Sequence, residues 1–383
     1  MRNKPFFRSF ICAFLILLTL AACAGLGRGS GVPRIESPYS SVDWQSYGQY
    51  KTALHVHTTN SDGRSPFNRV VELYYEQDFD LLAITDHNQV TRDWISVRNG
   101  LTQERFEEIT RGEGRTGRGM QIIPNTNEQT IQLFIPPIIN DHVNTFLTNW
   151  SWTSGNTIRD ILKAVEEQGG LSFINHPGMN ATGAAPSVDL VRGEQVANND
   201  FWISRYTDLF MEFSTLGFEI INCFDHVTGS DRIFWDNVLA RTIPQGRYVW
   251  GFATDDSHRD SEIGKAFSML LMPENTLENF REAMLSGSFY AVATTARREL
   301  GESFEASGPV PRILSIDINE AVGSISINAE NYDRIDWIAD GKVITNGSTI
   351  RLGSHRRAIG SYVRANIIGP GGIVFTQPFG VFW

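Results

Sequence analysis

The stretch of sequence that decides the fold is Leu54-His55-Val56-His57-Thr58-Thr59-Asn60-Ser61-Asp62-Gly63. Residues 52–57 have the pattern of a short β-strand, in which residues i and i+2 point to the same face. His55 and His57 would therefore present two imidazoles side by side, and Asp62 would approach them from the following turn. This arrangement predicts the beginning of a metal site, although an H-x-H pair alone is as often a solvated strand edge.

Composition limits the class of protein. A chain of 383 residues with 41% hydrophobic residues is long enough for one large core, or for one large and one small core. The formal net charge of -10 argues against binding of nucleic-acid polymers, because that requires a basic surface. It does not exclude a small anionic substrate, since bound cations dominate the local field of a metal site.

The N-terminal residues 1–22 have the features of a signal peptide, because basic residues precede an apolar run that is too short for a comfortable membrane span. The run ends in Leu20-Ala21-Ala22-Cys23, which resembles the bacterial lipoprotein box. The resemblance implies an exported protein that a lipid on Cys23 anchors to the cell envelope, on the periplasmic side; an ordinary signal peptide is the alternative. Residues 23–47 are expected to form a tether.

Residues 48–302 alternate buried, strand-like runs with helical patterns. One run, 79–84, ends in Thr85-Asp86-His87, and another, 171–174, follows an amphipathic helix over 157–168. Around seven such units favour an α/β fold, a distorted (β/α)7 barrel with its active site at the carboxyl ends of the strands. Residues 303–383 alternate differently, with Asp-Gly and Asn-Gly turns, and predict a small C-terminal all-β domain.

Histidine is concentrated in the predicted barrel, which contains seven of the eight histidines. Five of these close or directly follow an apolar run, whereas histidines used only for packing or solvation would be scattered. Neutral imidazole together with carboxylate is the ligand set of zinc, manganese and iron hydrolases. So many donors exceed the needs of one ion, and we therefore expect more than one divalent metal ion (Mn, Zn or Fe).

Five motifs follow one another along the chain: His55-Val56-His57 with Asp62-Gly63, Thr85-Asp86-His87, Glu128, Asn175-His176-Pro177 and Asp256-Ser257-His258. Their order and spacing resemble those of the PHP (polymerase and histidinol phosphatase) superfamily over residues 48–300. The resemblance implies a barrel of the PHP type and a metal-dependent phosphoesterase. Such an enzyme would hydrolyse a phosphate ester through a metal-bound hydroxide in a di- or trinuclear site.

The resemblance also implies which side chains hold the metals. One ion would be surrounded by His55, His57, Glu128 and Asp256; Glu128 would bridge to a second ion with His142 and His176; a third position, or the rest of the second, would use Asp62, His87 and His258. His142 departs from the family pattern, because Asp141 precedes it where family members have glycine. Asp86 and Asp255 are expected to hydrogen-bond neighbouring ligands.

The leaving oxygen of a phosphate ester must take up a proton, for which His226, His176 and water are the candidates. For His226, the alternative interpretation, a polar loop residue without a catalytic role, fits the sequence equally well. Arg64 and Arg259 adjoin ligand motifs and are suited to hold phosphate oxygens, although surface arginine is the simpler interpretation. The expected partner is a small phosphorylated substrate. Two alternatives stay open: a metal-dependent hydrolase of a non-phosphate bond, and a non-catalytic, metal-stabilised surface lipoprotein.

Overall fold

A computed structural model describes residues 31–115, 118–133, 139–151, 155–182 and 190–383. The predicted signal peptide and Cys23 lie outside these residues. Over the described ranges, no helix has both the length and the apolar character that crossing a membrane requires.

The first part of the described chain mixes strands and helices. Its strands are β1 (Arg34–Glu36), β2 (Gly48–Ala53), β3 (Leu81–Leu82), β4 (Gln121–Ile122), β5 (Asn127–Leu133), β6 (Ile139–Phe146), β7 (Leu171–Ile174), β8 (Gly217–Asn222), β9 (Trp250–Thr254), β10 (Ala266–Met272) and β11 (Phe289–Ala293). Its helices are α1 (Phe67–Glu76), α2 (Gln103–Arg111), α3 (Ile158–Glu167), α4 (Pro177–Thr182), α5 (Leu190–Ala197), α6 (Asp200–Glu212), α7 (Asp231–Thr242), α8 (Leu277–Ser286) and α9 (Arg297–Leu300), with 3-10 turns at Ile243–Gln245 and Asp260–Glu262.

The C-terminal part consists of strands and one 3-10 turn, Leu352–His355. The strands are β12 (Arg312–Asn319), β13 (Ser324–Glu330), β14 (Arg334–Ala339), β15 (Lys342–Asn346), β16 (Thr349–Arg351), β17 (Tyr362–Gly369), β18 (Gly372–Phe375) and β19 (Phe379–Phe382). The predicted all-β character of this part is therefore present.

The fold is mixed α/β, but its strands form three sheets. The largest runs β1-β19-β17-β18-β11-β10-β2-β3-β4, with β14 beside β17 and β15 beside β14; the second is β5-β6-β7-β8-β9; the third is β12-β13-β16. Among the strands that the structure describes, β2-β3-β4 and β7-β8-β9 pair in parallel. The predicted distorted (β/α)7 barrel is not found: in the described part of the chain no barrel closes, because antiparallel pairs such as β5-β6 and β10-β11 stand where parallel units were expected.

The two larger sheets meet where the histidine motifs lie. Beyond the end of β2, an isolated parallel bridge joins Val56 to Ser257, and beyond the end of β3 another joins His87 to Glu128. The amide of His57 donates a 3.0 Å hydrogen bond to the carbonyl of Ser257. Residues from both sheets are thereby fixed against one another at the strand ends, by backbone contacts as well as by side chains.

Helix α3 shows how local sequence positions one of these strand ends. Thr157 and Asp160 form a capping box at its N-terminus, which satisfies backbone amides that a helix start leaves free. One face of α3 is apolar and buried, with Ile161 and Val165 in the core. After the helix, Gly169 adopts a φ of +66°, which glycine tolerates, and the chain turns into β7.

The first and last described strands, β1 and β19, belong to the same sheet. The predicted tether and the predicted C-terminal domain are therefore not separate units. Strand β1 pairs with β19, and Ile35 and Tyr39 are buried, so the predicted tether over 23–47 is part of the fold from residue 34 onward. Strand β18 pairs with β11, so the sheet continues across the predicted boundary at residue 303. A domain boundary inferred from composition alone does not reveal that backbone hydrogen bonds join the two parts.

A buried ion pair also joins the two parts. Arg364 on β17 donates two hydrogen bonds to the carboxylate of Asp236 on α7, at 2.8 and 2.7 Å. Both side chains are almost fully buried. Because an unpaired charge at such a site is costly, this pair ties α7 to the C-terminal strands.

Candidate metal centre

The nine predicted metal ligands converge at the place where the two larger sheets meet. They form four overlapping groups in which the ligand atoms lie within 4.8 Å of one another: His57, Asp62, His87 and His258; His55, His176 and Asp256; His55, His57 and Glu128; His87, Glu128 and His142. The ring centroids of His55 and His57 are 5.0 Å apart, as the spacing of residues i and i+2 in extended chain predicts. The structure thus brings together all nine side chains.

Glu128 lies at the centre of these groups and is fully buried. Its Oε1 is 2.8 Å from Nδ1 of His142 and 3.4 Å from Nε2 of His55. Its Oε2 is 2.7 Å from Nδ1 of His87 and 3.4 Å from Nε2 of His57. Burial alone would raise the pKa of Glu128, but the imidazoles of His142, His55 and His87 hold that pKa well below its usual range. Each oxygen therefore faces two imidazoles, a disposition suited to bridging two cations.

Asp256 faces the same pair of histidines from the other side. Its Oδ1 is 3.2 Å from Nε2 of His55 and 3.3 Å from Nε2 of His57. Two ligand atoms of one tetrahedral ion with bonds of about 2.0–2.1 Å lie roughly 3.3 Å apart. Despite burial, the neighbouring imidazoles, His55 first, lower the pKa of Asp256, so its charged form is favoured. These distances fit a cation between the three side chains.

Unpartnered atoms provide a direct test of this fit. Nε2 of His57, Nδ1 of His87 and Oε2 of Glu128 are buried and have no aligned hydrogen-bond partner, although the last two atoms are 2.7 Å apart. Buried polar atoms are nearly always hydrogen-bonded, because leaving them unpaired is costly. A divalent cation would satisfy all three, so the side chains present fit metal ions.

One end of the cluster opens to solvent. The side chain of Asp62 is 54% exposed and that of His258 33%, whereas Glu128 is completely buried. Oδ2 of Asp62 is 3.4 Å from Nε2 of both His87 and His258. Burial opposes protonation of these imidazoles, but the carboxylates raise the pKa of His87 to about 10 and that of His258 to about 9. A substrate would approach the cluster from this end.

Glu219 is a buried carboxylate that the sequence analysis did not single out. Its Oε1 is 2.9 Å from Nδ1 of His55, and its Oε2 accepts a 3.0 Å hydrogen bond from the amide of His176. A carboxylate at Nδ1 fixes the tautomer and leaves Nε2 free to face a metal. The sequence contained an indication of this role, because Glu219 is the single charged residue of the apolar strand Gly217–Asn222, whose six residues are all buried.

Three asparagine amides complete the support of the cluster. Asn175 donates to Oε1 of Glu128 at 2.7 Å, and Asn222 donates to Oδ2 of Asp256 at 3.1 Å. Oδ1 of Asn180 lies 3.1 Å from Nδ1 of His176, which leaves Nε2 of that ring directed elsewhere. These three contacts restrain the ligand side chains through neutral groups and add no charge.

Asp86 and Asp255 do not hydrogen-bond ligand side chains, contrary to our expectation. Asp86 accepts hydrogen bonds from the amide of Thr58 at 2.8 Å and the hydroxyl of Ser61 at 2.7 Å. Asp255 accepts from the amides of residues 264–266 at 2.7 to 2.9 Å. Both carboxylates hold loops that border the cluster, and the hydroxyl of Ser61, which donates to Asp86, lies 3.4 Å from Nδ1 of His57.

The remaining predicted site residues divide into two sets. His176 lies within the cluster, and burial lowers its pKa. His226 is exposed on the turn after β8, and no contact within the described ranges joins it to the nine ligand side chains. Arg64 and Arg259 are also exposed; the amide of Arg64 donates to the carbonyl of His258 at 2.9 Å, which places both arginines beside the open end.

Comparison with curated proteins finds a short related segment, and no family model matches the chain. The segment is 35% identical over 74 residues to the DNA polymerase/3'-5' exonuclease PolX of Bacillus subtilis. It spans 19% of this chain and 12% of that relative. The match therefore concerns a small part of a much longer protein.

Solved structures with a similar fold cover more of the chain. A two-domain protein from Bacteroides vulgatus, described as containing a predicted PHP-like metal-dependent phosphoesterase, covers 89% of this chain and 88% of its own length, with 14% identity and a TM-score of 0.45. The lesion-specific endonuclease EndoQ from Pyrococcus furiosus (12% identity, TM-score 0.35) covers 62% of this chain and 56% of its own length. An amidohydrolase from Chromobacterium violaceum was solved with sulfate and no metal. It has 14% identity and a TM-score of 0.35, and covers 54% of this chain and 87% of its own length.

Replacement of Glu219 by glutamine tests its support of His55. Glu219→Gln keeps the side-chain shape but removes the charge at Nδ1 of His55, so we expect the affinity for zinc or manganese to fall about 10- to 100-fold. Competition with a chromophoric chelator measures this affinity. Glu166→Gln, on the exposed face of α3, is the matched control. An unchanged affinity in folded Glu219→Gln protein would contradict the assigned role.

Proposed function

We propose that this protein is a metal-dependent hydrolase of phosphate esters, with two or three divalent ions (Mn, Zn or Fe) held by the nine converging side chains. The observation that carries the proposal is the position of Glu128, whose two oxygens each face two imidazoles, while its own Oε2 and two neighbouring imidazole nitrogens lack hydrogen-bond partners. When bound, such ions lower the pKa of a water molecule and offset the negative charge that develops on the phosphoryl oxygens.

The chain's own groups would divide the remaining work. The carboxylate of Glu219 and the amide of Asn180 orient the rings of His55 and His176. The exposed guanidinium groups of Arg64 and Arg259 adjoin the open end, and neither forms an ion pair among the described residues. A guanidinium can hold two phosphate oxygens at once. We therefore include both arginines in the proposed substrate contact.

The leaving oxygen must gain a proton as its bond to phosphorus breaks. His176 is enclosed by the cluster and is one of the nine side chains proposed to hold the ions, so we propose His226 for this role. Nε2 or Nδ1 of His226, on the turn after β8, would donate to the leaving oxygen. The end of β8 also carries Asn222, which contacts Asp256 at 3.1 Å.

Substrates with different leaving groups test the role of His226. In His226→Ala, we expect kcat on alkyl phosphates to fall about 100-fold or more, since a positioned acid contributes on the order of 10²–10⁴. Hydrolysis of 4-nitrophenyl phosphate should change far less, because nitrophenolate leaves without a proton. Equal effects on both substrates would assign His226 to the loop and leave water as the donor.

Removal of the first two ligands tests the main proposal. The double variant His55→Ala/His57→Ala should lose its bound metal and all hydrolysis of generic phosphate esters, because the cation between Glu128 and Asp256 loses two donors. Metal content by elemental analysis and phosphate release on a substrate panel measure both effects. His355→Ala, at the end of a 3-10 turn in the C-terminal part, serves as the control and should retain both properties.

The same panel separates the alternative functions. Full phosphate release by the double variant would contradict the proposal. Hydrolysis of amides by the wild-type protein, with no phosphate released from any ester, would identify a metal-dependent hydrolase of a different bond. A single, fully coordinated ion with no activity on either panel would identify a metal-stabilised binding protein.

We also propose that the protein is exported and anchored through a lipid on Cys23, facing the periplasm. The support is the lipoprotein-like sequence at residues 20–23. Cys23→Ser should fail to incorporate labelled palmitate, whereas Cys12→Ser should behave as wild type. Continued labelling of Cys23→Ser would contradict the anchor.

A further inference from the structure

A cavity of about 300 Å³ is lined by residues that follow or precede Asp62 and His87 closely in sequence, and Asp62 and His87 stand at the open end of the cluster. Its walls include Asn60 and the segment 89–98, from which Gln89, Arg92 and Arg98 contribute side chains. The catalytic proposal makes no use of these groups. Their position and chemistry indicate what the cavity would bind.

The cavity is continuous in sequence with two metal-facing residues. Asn60 precedes Asp62 by two residues, and Gln89 follows His87 by two. The two walls are joined to each other, because the side-chain amide of Gln89 donates to the carbonyl of Asn60 at 3.4 Å. Since Asp62 is the most exposed member of the cluster, a molecule that reaches the open end would extend toward this cavity.

The cavity carries positive charge in a protein whose net charge is -10. Arg92 and Arg98 are exposed, and neither makes an ion pair with any residue that the structure describes. Asp93 is the acidic residue of the lining, but its carboxylate accepts hydrogen bonds from the amides of Ile95 and Ser96 at 2.9 and 2.7 Å. The carboxylate is thus occupied by its own turn, and the guanidinium groups are free to meet an anion.

Asn60 provides a second, independent indication of a ligand. Its Nδ2 donates to the carbonyl of Arg98 at 3.2 Å, which fixes the orientation of the amide. Its Oδ1 is buried and has no hydrogen-bond partner. Buried acceptors are rarely left unpaired, so this oxygen is suited to a hydroxyl group of a bound molecule.

We propose that this cavity is the subsite for the leaving group, and that the enzyme prefers phosphate esters of small alcohols that carry a second anionic group, a carboxylate or a second phosphate. The inference rests on the proposed phosphoesterase function. Hydrolysis would break the ester P–O bond, form a P–O bond to the oxygen of water and transfer a proton to the leaving alcohol. A volume near the lower limit of ligand pockets and the acidic net charge favour a small molecule over a nucleic-acid polymer.

A series of matched esters tests this preference. Propyl phosphate has an uncharged leaving group, 3-phosphonooxypropanoate adds a carboxylate, and propane-1,3-diyl bisphosphate adds a phosphate; homologues with two and four carbons cover different spans. We expect kcat/KM of the metal-loaded protein to be about 10- to 100-fold higher for charged members, as expected for one or two charge-assisted hydrogen bonds. The carboxylate and bisphosphate arms show which anion the cavity takes.

The double variant Arg92→Gln/Arg98→Gln should reduce the ratio of kcat/KM between charged and uncharged members about 10-fold or more. Arg357→Gln, at an exposed arginine of the C-terminal part, is the matched control and should leave the ratio unchanged. A wild-type ratio near one, or a ratio that both variants leave unchanged, would overturn the subsite while leaving the phosphoesterase function intact. Preferred cleavage of an oligonucleotide would overturn the small-molecule class.

Binding separates failure of the subsite from failure of the proposed function. Calorimetry compares 4-phosphonobutanoate with butylphosphonate, which are stable analogues of the charged and uncharged esters. Tighter binding of 4-phosphonobutanoate that depends on Arg92 and Arg98, with no ester hydrolysed, would overturn the phosphoesterase function and support the subsite. Neither hydrolysis nor selective binding would overturn both.

Discussion

The site depends on a carboxylate, that of Glu128, buried among imidazoles. Removal of a carboxylate from water costs several kcal/mol, and only close, well-directed partners compensate for it. Glu128 is in β5, whereas its partners come from β6 and from the chain beyond β2 and β3: His142, His55, His57 and His87. The negative charge of Glu128 is stabilised only when β5, β6 and the segments beyond β2 and β3 are correctly aligned. The arrangement that suits cations therefore also restricts how the two larger sheets can meet.

Backbone conformation at the strand ends shows the same restriction. His176, Cys223 and Asp256 have φ values of 24°, 36° and 46°, in the left-handed region that residues other than glycine rarely adopt. Each follows a strand by one or two residues, and each conformation costs on the order of 1–3 kcal/mol. Surrounding contacts must supply this energy; the bond from Glu219 to the amide of His176 is one of them. The strand ends therefore keep backbone conformations that position the site residues, and these conformations lower the free energy of unfolding.

The sequence predicted those features of the site that depend on local spacing. His55 and His57 share a face because extended chain repeats every two residues, and the other motifs also stand at strand ends. Pairing between distant strands has no comparable local signal, so the antiparallel β5-β6 pair and the continuity of β11 with β18 were not predicted. The sequence also did not predict the direction of individual side chains. Asp86 and Asp255 adjoin ligands in sequence but bind backbone amides. Glu219 is distant in sequence from His55, yet its carboxylate contacts the His55 ring.

The order of strands in the largest sheet has a consequence for how this chain folds. Its first described strand, β1, pairs with its last, β19, and β2 pairs with β10, more than two hundred residues later. Contacts between such distant residues form slowly, and a sheet that waits for them leaves strand edges unprotected. As the chain is synthesised from its N-terminus, β1 and the edge of β11 have no partners until the final strands appear. Completion of the sheet therefore waits for β18 and β19, which supply the partners of β11 and β1.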